Sequence, residues 1–358
     1  MVGTTIHDLF VELGTELREV MRRIDRAAKG IALVVDGAQR LIATITDGDI
    51  RRAILAGVTL EEPVERLVER KRDSARYPAP ISAPLGTSEA AGLALMQAHR
   101  IRQLPLVDPD GVVVALQMLD DRPIAERLPV QAVVMAGGLG SRLRPLTETT
   151  PKPMLPIAGQ PLLEHIIRQL GSCGIERVAI ATNYKKEHIT AHFGSGEGFG
   201  VEIAYLNEEE PRGTAGALAQ LEDSREPLLV INGDVLTRLD FRALLLHHRT
   251  QRAEVTVAVK DVALRVPYGV VEVDGARVSA LREKPQLEVR VNAGIYLLEP
   301  TVVSSVPTDG RFDMTHLIDQ LLAGGRRVSW FPIIEYWLDI GQPEDYEQAQ
   351  LDHEERER

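Results

Sequence analysis

The chain has a single cysteine, Cys173, in 358 residues, which excludes an internal disulfide and fits a reducing compartment. It has no run near the roughly 18 apolar residues of a membrane-spanning helix. It is short of positive charge: 41 Lys and Arg against 52 Asp and Glu give a net −11, the wrong sign for a general nucleic-acid binder. The opening MVGTTIHDLFVELGTELREV has no cationic segment followed by an apolar core, so the expected location is the cytoplasm, with no membrane and no nucleic acid among the partners. Hydrophobic residues at 44% and charged residues at 26% describe a soluble globular chain long enough for two or three domains. Anion binding on so acidic a chain must be local, and small phosphates are the natural ligands.

Two similar half-units fill residues 1–125, at about 1–62 and 75–125. Each reads as a helix, short apolar strands and a helix. The first runs ELREVMRRIDRAAKG, IALVVD, RLIATIT, DGDIRRAILAG; the second runs TSEAAGLALMQAHR, QLPLVD, GVVVALQML, DDRPIAERL. The polar, Pro-rich ERKRDSARYPAPISAPLG between them reads as a linker. From residue 130 to 350, Val/Ile-rich runs alternate with helical patterns: VQAVVMA, PLLEHIIRQLGSCG, RVAIAT, KKEHITAHF, VEIAYL, GTAGALAQL, PLLVING, DFRALLLHHR. Near-continuous apolar strands alternating with helices predict a mostly parallel sheet covered on both faces. EVTVAV, YGVVEVD, RVSALRE and NAGIYLLE are expected as an appended antiparallel part, and residues 351–358 as a charged tail.

Ligands of a parallel α/β sheet sit beyond the carboxyl ends of its strands. GGLGSRLRPLTETTPKP follows the first strand and falls there. Its glycines Gly137, Gly138 and Gly140, entered through Ala136, let main-chain N–H groups approach a phosphate chain. GxxxxGK[ST] is absent, and Leu143 stands where a GxGxxG pattern needs its third glycine. Arg142 and Lys152 can both reach a phosphate held by the loop. A tight turn with solvated cations is the plain alternative.

PLLVINGDV ends a strand in Asn232, Gly233 and Asp234, and EYWLDIGQPEDY carries Asp339. Mg²⁺ is usually held by one or two carboxylates plus substrate phosphates, which two strand-end aspartates suit. Taken singly, each Asp reads more readily as a turn or cap. Glu283 and Lys284 in LREKPQ, and Asn292 in VNAGIY, are unremarkable alone. His188 and His192 in HITAH have no glutamate directly after the first histidine, so a zinc site is not expected.

GGLGSRLRPLTETTPKPMLPI, EEEPRGTAGAL, INGDV, YGVVEVD, REKP, VNAGIY and EYWLDIGQPEDY, in that order from about Val130 to Ala349, resemble the sugar-1-phosphate nucleotidyltransferases. Ser141 replaces the usual threonine, and Gln342 a common threonine or arginine. The front region resembles a tandem pair of CBS motifs, with TITDGDIRRAI the strongest piece. The fold implied is α/β: a Rossmann-like, mostly parallel transferase domain preceded by an α+β tandem CBS pair. The reaction implied joins a sugar 1-phosphate to an NTP with release of pyrophosphate. Arg142, Lys152 and Lys284 would be catalytic. Ala136, Gly137, Gly138, Gly140, Glu208, Gly213 and Thr214 would bind nucleotide, and Gly269, Glu283, Lys284 and Asn292 the sugar phosphate. Asp234 and Asp339 would hold Mg²⁺.

By the same resemblance Glu208 reads the base. An ionised carboxylate only accepts hydrogen bonds, and guanine offers N1–H beside its 2-amino group, so GTP is expected. A register slip of one residue would put Asn207 there instead and weaken that expectation. CBS motifs ahead of this transferase resemble the glucosamine-1-phosphate guanylyltransferases of bacterial legionaminic acid pathways; mannose 1-phosphate is the competing sugar. In CBS motifs a Thr/Ser and an Asp three residues on contact the ribose of an adenine nucleotide; Thr46 and Asp49 match, whereas Gln117 before Asp120 departs. Structural pairing of the motifs without a ligand stays open. Docking of such pairs implies a homodimer or higher homo-oligomer. A non-catalytic nucleotide sensor is the alternative of a different class, but it needs a missing catalytic residue.

Overall fold

The computed structural model describes residues 5–73, 79–119, 127–208, 210–221 and 224–357. The chain divides into two compact units. One comprises Met1–Glu126, Ile334–Tyr336 and Glu355–Arg358, the other Arg127–Ile333 and Trp337–Glu354.

The first unit repeats one small topology. Its first half holds β1 (Phe10–Glu12), α1 (Leu17–Ala27), β2 (Ile31–Val35), β3 (Leu41–Thr46), α2 (Asp47–Leu55) and α3 (Glu65–Arg72). Its second half holds β4 (Ala83–Pro84), α4 (Glu89–His99), β5 (Gln103–Val107) and β6 (Val113–Met118). In each half the first strand pairs parallel with the second, and the second antiparallel with the third. The sheets touch through the Arg40–Val112 bridge, and Val113 packs with Leu33 and Val35. The expected linker begins later than its composition implied. Leu67 and Val68 are buried, so the polar-looking ERKR closes a packed helix instead of opening a linker. The helix expected over DDRPIAERL lies largely outside the described residues, and its last two residues, Arg127 and Leu128, are not helical.

Asp49 explains much of the local order around α2. Its Oδ2 accepts from the N–H and Oγ1 of Thr46, at 2.9 and 2.8 Å, and from Nζ of Lys71 at 2.9 Å. Its Oδ1 accepts from Arg52 at 2.6 Å. Lys71 also donates to the Thr44 carbonyl, so a single carboxylate ties the end of β3 to α2 and α3.

The second unit opens with β7 (Gln131–Met135), the two-residue strands β8 (Pro156–Ile157) and β9 (Gln160–Pro161), α5 (Leu162–Ser172), β10 (Arg177–Thr182), α6 (Lys186–Phe193) and β11 (Glu202–Asn207). It continues through the one-turn α7 (Gly213–Gly216), β12 (Leu228–Asn232), β13 (Val235–Thr237), α8 (Phe241–Gln251), β14 (Val255–Arg265), β15 (Val270–Asp274), β16 (Arg277–Arg282) and β17 (Gln286–Leu298). It ends with α9 (Met314–Ala323), β18 (Val328–Pro332), β19 (Trp337–Asp339) and α10 (Pro343–Glu357).

Seven strands form one sheet in the order β11-β10-β7-β12-β17-β14-β18, with β17 antiparallel to both neighbours and every other pairing parallel. Alternate residues feed two cores. Ala132, Val134, Ile180 and Ile231 face α5 and α8 on one side, while Val133, Ala179, Ala181 and Val230 face α9 on the other. That is why the strands read as unbroken apolar runs. The segments expected as an appendage are divided. AGIYLL and the start of EVTVAV are buried on both faces and enter the main sheet as β17 and β14, and only β15 and β16 form a separate ribbon.

Replacing Asp49 by Ala is expected to cost the first unit about 2 kcal/mol at neutral pH, since it strips a charged acceptor from several donors. Burial pushes the Asp49 carboxyl up, but Lys71, Thr46 and Arg52 outweigh it and hold it below the usual range. The contribution is therefore present above about pH 4 and lost as acid titrates through the depressed value. Thermal melts of the variant that match wild type at pH 7 would contradict this role.

Candidate active site

Parallel strands deliver their carboxyl ends to one edge, and here β7, β10, β11 and β12 do so together. β7 ends at Met135, whose carbonyl accepts from the Gly233 N–H at 2.9 Å. A Cβ on Gly233 would lie 2.9 Å from that carbonyl, so only glycine lets the end of β12 run this close to the loop after β7. Asp234 follows directly. β13 pairs antiparallel with β19 with Val235 opposite Asp339, and the Ile340 N–H donates to the Asp234 carbonyl. The two aspartates, 105 positions apart in sequence, thus arrive side by side.

Lys152 completes the cluster. It is 7% exposed, and its Nζ meets Asp234 Oδ2 at 2.5 Å. The loop carrying it is folded back on itself: Thr147 Oγ1 donates to the Gly140 carbonyl, and Gly140 sits at φ +62°. A Cβ there would stand 2.9 Å from that of Lys152. Arg142 is exposed, with its guanidinium beside Gly341, two residues after Asp339. Asp339 is open to solvent on one side, but the surrounding cleft and then the charge of Asp234 push its carboxyl up to about 6.

Glu208 lies at the end of β11, with its N–H on the Thr182 carbonyl and its own carbonyl accepting from Asn183. Its carboxylate turns inward. A Cβ on Gly137 would be 2.8 Å from Oε2, and Oε1 is buried without a hydrogen-bond partner among the described residues. Burial raises its carboxyl above the usual range, against the opposing pull of Arg212. Asn207 is exposed and accepts from Thr182 Oγ1 at 3.3 Å. The residue that faces the glycine loop is Glu208.

Other expected residues are placed differently. The Ala136 N–H belongs to the sheet, donating to Ala181, while Gly138 faces open space. Thr214 spends its N–H on Asp313 and its hydroxyl oxygen on the Met314 N–H. Glu283 approaches Gly269, with Oε2 3.2 Å from where a Cβ would be. Lys284 is exposed and takes a left-handed backbone at φ +45°. Asn292 donates to the Tyr296 hydroxyl and accepts from the Gly294 N–H, so its amide is engaged within the protein. Asn183 and Asn232 went unassigned in the sequence reading. Asn232 Oδ1 is buried beside the site without a partner among the described residues, and INGDV was the available signal. Thr46 and Asp49 lie in the other unit, bonded to each other.

The donor set around Asp234 and Asp339 is all carboxylate, and no group of three or more His, Cys, Asp or Glu suited to a metal occurs among the described residues. Two carboxylates fit a hard divalent ion such as Mg²⁺, which takes its remaining oxygens from phosphates and water. Softer metals want imidazole or thiolate.

With its carboxyl raised to about 6, Asp339 is protonated more readily in the native than in the unfolded chain, so native stability falls as pH rises through that value. Asp339→Asn, which never ionises, is expected to melt higher than wild type in metal-free buffer above pH 6, with the advantage fading toward pH 4. A difference that does not vary with pH would contradict the assignment.

Among the described residues no helix is long and apolar enough to cross a membrane. Residues 131–356 match the nucleotidyl transferase family, and residues 5–56 match the CBS domain. A mannose-1-phosphate guanylyltransferase from Mycobacterium tuberculosis is 38% identical over 231 residues, 62% of this chain and 64% of that protein. A D-glycero-alpha-D-manno-heptose 1-phosphate guanylyltransferase from Aneurinibacillus thermoaerophilus is 34% identical over 62% of this chain and 97% of its own length. The crystal structure of HddC from Yersinia pseudotuberculosis superposes with a TM-score of 0.50 at 27% identity, covering 63% of this chain and 99% of that one. The match therefore spans less than two thirds of the mycobacterial relative. It takes in well over half of this chain, which belongs to the nucleotidyl transferase family.

Proposed function

We propose that this protein is a sugar-1-phosphate guanylyltransferase that makes a GDP-sugar and pyrophosphate from GTP and a sugar 1-phosphate. The observation that carries the reading is the meeting, at one sheet edge, of Lys152, Asp234 and Asp339 beside a glycine loop faced by Glu208.

A phosphate oxygen of the sugar 1-phosphate attacks the α-phosphorus of the triphosphate, and the bond from α-phosphorus to the bridging oxygen breaks, releasing pyrophosphate. Both reactants are anions, so the step depends on positioning and charge compensation more than on covalent catalysis. Asp234 and Asp339 would hold Mg²⁺, which when bound neutralises phosphate oxygens and draws the two substrates together. Lys152 and Arg142 would stabilise the α-phosphate and the leaving pyrophosphate, and Lys284 the sugar phosphate. No general base is needed, since a phosphate monoester is already ionised near neutral pH.

Glu208 supports guanine. Oε1 of its buried carboxylate has no hydrogen-bond partner among the described residues, and guanine presents two adjacent donors. Two sugars are supported by different observations. CBS motifs ahead of the transferase favour glucosamine 1-phosphate; the named relatives act on mannose 1-phosphate and a manno-heptose 1-phosphate, which favours a manno sugar. In the front unit, the acceptor positions of Asp49 are taken by Thr46, Lys71 and Arg52, which favours structural pairing over a ribose site.

Pyrophosphate release measured over four triphosphates and a panel of sugar phosphates is expected to be highest with GTP. Glu208→Gln should narrow the preference for GTP over UTP and dTTP by about tenfold or more, the loss of a charge-assisted contact. An unchanged nucleotide profile would mean that another residue reads the base.

A further inference from the structure

The loop that follows Glu208 is held from far along the chain. Arg212 to Gly216 is tied to a segment about 100 residues later in the sequence, Arg311 to Met314. The Thr214 N–H donates to Asp313 Oδ1 at 3.0 Å, and the Met314 N–H donates to Thr214 Oγ1 at 2.9 Å. The N–H groups of Ala215 and Gly216 both reach the Phe312 carbonyl at 3.0 Å, and the Phe312 N–H returns to the Arg212 carbonyl at 2.8 Å. Arg311 Nε donates to Asp313 Oδ2 at 3.2 Å and steadies the carboxylate from its far side. Gly213, at φ +82°, has no room for a side chain: a Cβ would lie 2.5 Å from Asp313 Oδ1 and 2.7 Å from the Phe312 carbonyl oxygen.

The consequence is chemical. The free N–H groups of a helix's first turn are what would ordinarily greet a nucleotide, yet in α7 those of Thr214, Ala215 and Gly216 are already spent on Asp313 and Phe312. Gly213 is required here by close packing, and Thr214 by the two hydrogen bonds it makes. Those three N–H groups are therefore not available to a ligand. Three residues separate Arg212 from Glu208 in sequence, and the Arg212 backbone N–H bonds the Glu208 carboxylate, so the staple bears on where that carboxylate stands against Gly137.

We infer that Asp313 is a positioning residue for nucleotide recognition: it clamps Arg212–Gly216 and through that loop sets the place of Glu208. This rests on Glu208 reading the base.

The test is steady-state kinetics of full-length Asp313→Ala, Asp313→Asn and Thr214→Val, with GTP and UTP and with whichever of mannose or glucosamine 1-phosphate is turned over. Asp313→Ala should raise KM for GTP about tenfold, as expected for a displaced contact, and narrow the preference for GTP over UTP. Its kcat at saturating GTP and its KM for the sugar phosphate should stay within about twofold of wild type. Asp313→Asn keeps the oxygen that receives the Thr214 N–H and should restore most of the loss, whereas a stability effect alone would leave the nucleotide profile unmoved. Thr214→Val probes the same clamp from the other side should Asp313→Ala fold poorly, and its KM for GTP should rise likewise. Equal rises in both KM values, or an unchanged KM and profile in the two clamp-breaking variants, would overturn the inference. Glu208→Gln run alongside separates the claims. If it shifts base preference while Asp313→Ala does not, the clamp fails and guanine reading stands. If Glu208→Gln changes nothing, guanine reading fails, and the nucleotide KM of Asp313→Ala still judges the clamp.

Discussion

Two carboxylates and one buried ammonium share the carboxyl edge of the central sheet, and their charge balance constrains the rest of the site. Burial first, and then the charge of Asp234, push the Asp339 carboxyl up to about 6. Lys152, almost fully enclosed, offsets one of the two charges through its 2.5 Å contact with Asp234. A buried ammonium left without a carboxylate is costly, and so is a carboxylate pair without a cation. The loop from Gly137 to Lys152 must therefore fold back over the edge even without substrate, and Gly140 and Thr147 give it the turn to do so. The edge carries a cation, Lys152, with which a divalent metal would compete for Asp234.

The sheet meets this demand because its central strands β7, β10 and β12 are buried on both faces. Covered strands cannot slide without exposing a row of apolar side chains, so their ends stand in fixed register, and the edge strand β11 is held by its pairing with β10. Gly233 brings β12 against Met135, and β19 arrives antiparallel to β13 from far along the chain. Glu208 enters from the next strands out, pinned by Thr182 and Asn183. Strand ends thus present Asp234, Asp339 and Glu208, a folded-back loop presents Lys152, and the clamp from Asp313 steadies the loop after Glu208.

Much of this was legible in the sequence where a local pattern carried it. Alternating apolar runs announced the parallel sheet, and GGLGSRLRPLTETTPKP announced a cationic glycine loop at its carboxyl edge, because glycine and charge act through the few residues around them. What escaped was non-local. β14 and β17 read as an appendage, since nothing in EVTVAV or NAGIYLLE says that both faces will be covered. ERKR read as linker because Lys71 shows its worth only when Asp49 is beside it. Thr214 was assigned to the nucleotide, whereas its partners at 313 and 314 lie beyond the reach of spacing or periodicity. The pairing of Asp234 with Asp339 could be supposed from their residue type and position at strand ends; the intrusion of Lys152 on Asp234 could not.

That intrusion gives the most direct measurement. Calorimetric titration of Mg²⁺ into the full-length protein without nucleotide compares wild type with Lys152→Met. If Lys152 neutralises the place a metal would take, the variant binds Mg²⁺ more tightly by about tenfold or more, the scale of a lost charge-assisted contact. Equal or weaker binding in the variant would show that Lys152 and the metal do not compete for Asp234, and the charge balance described here would be wrong.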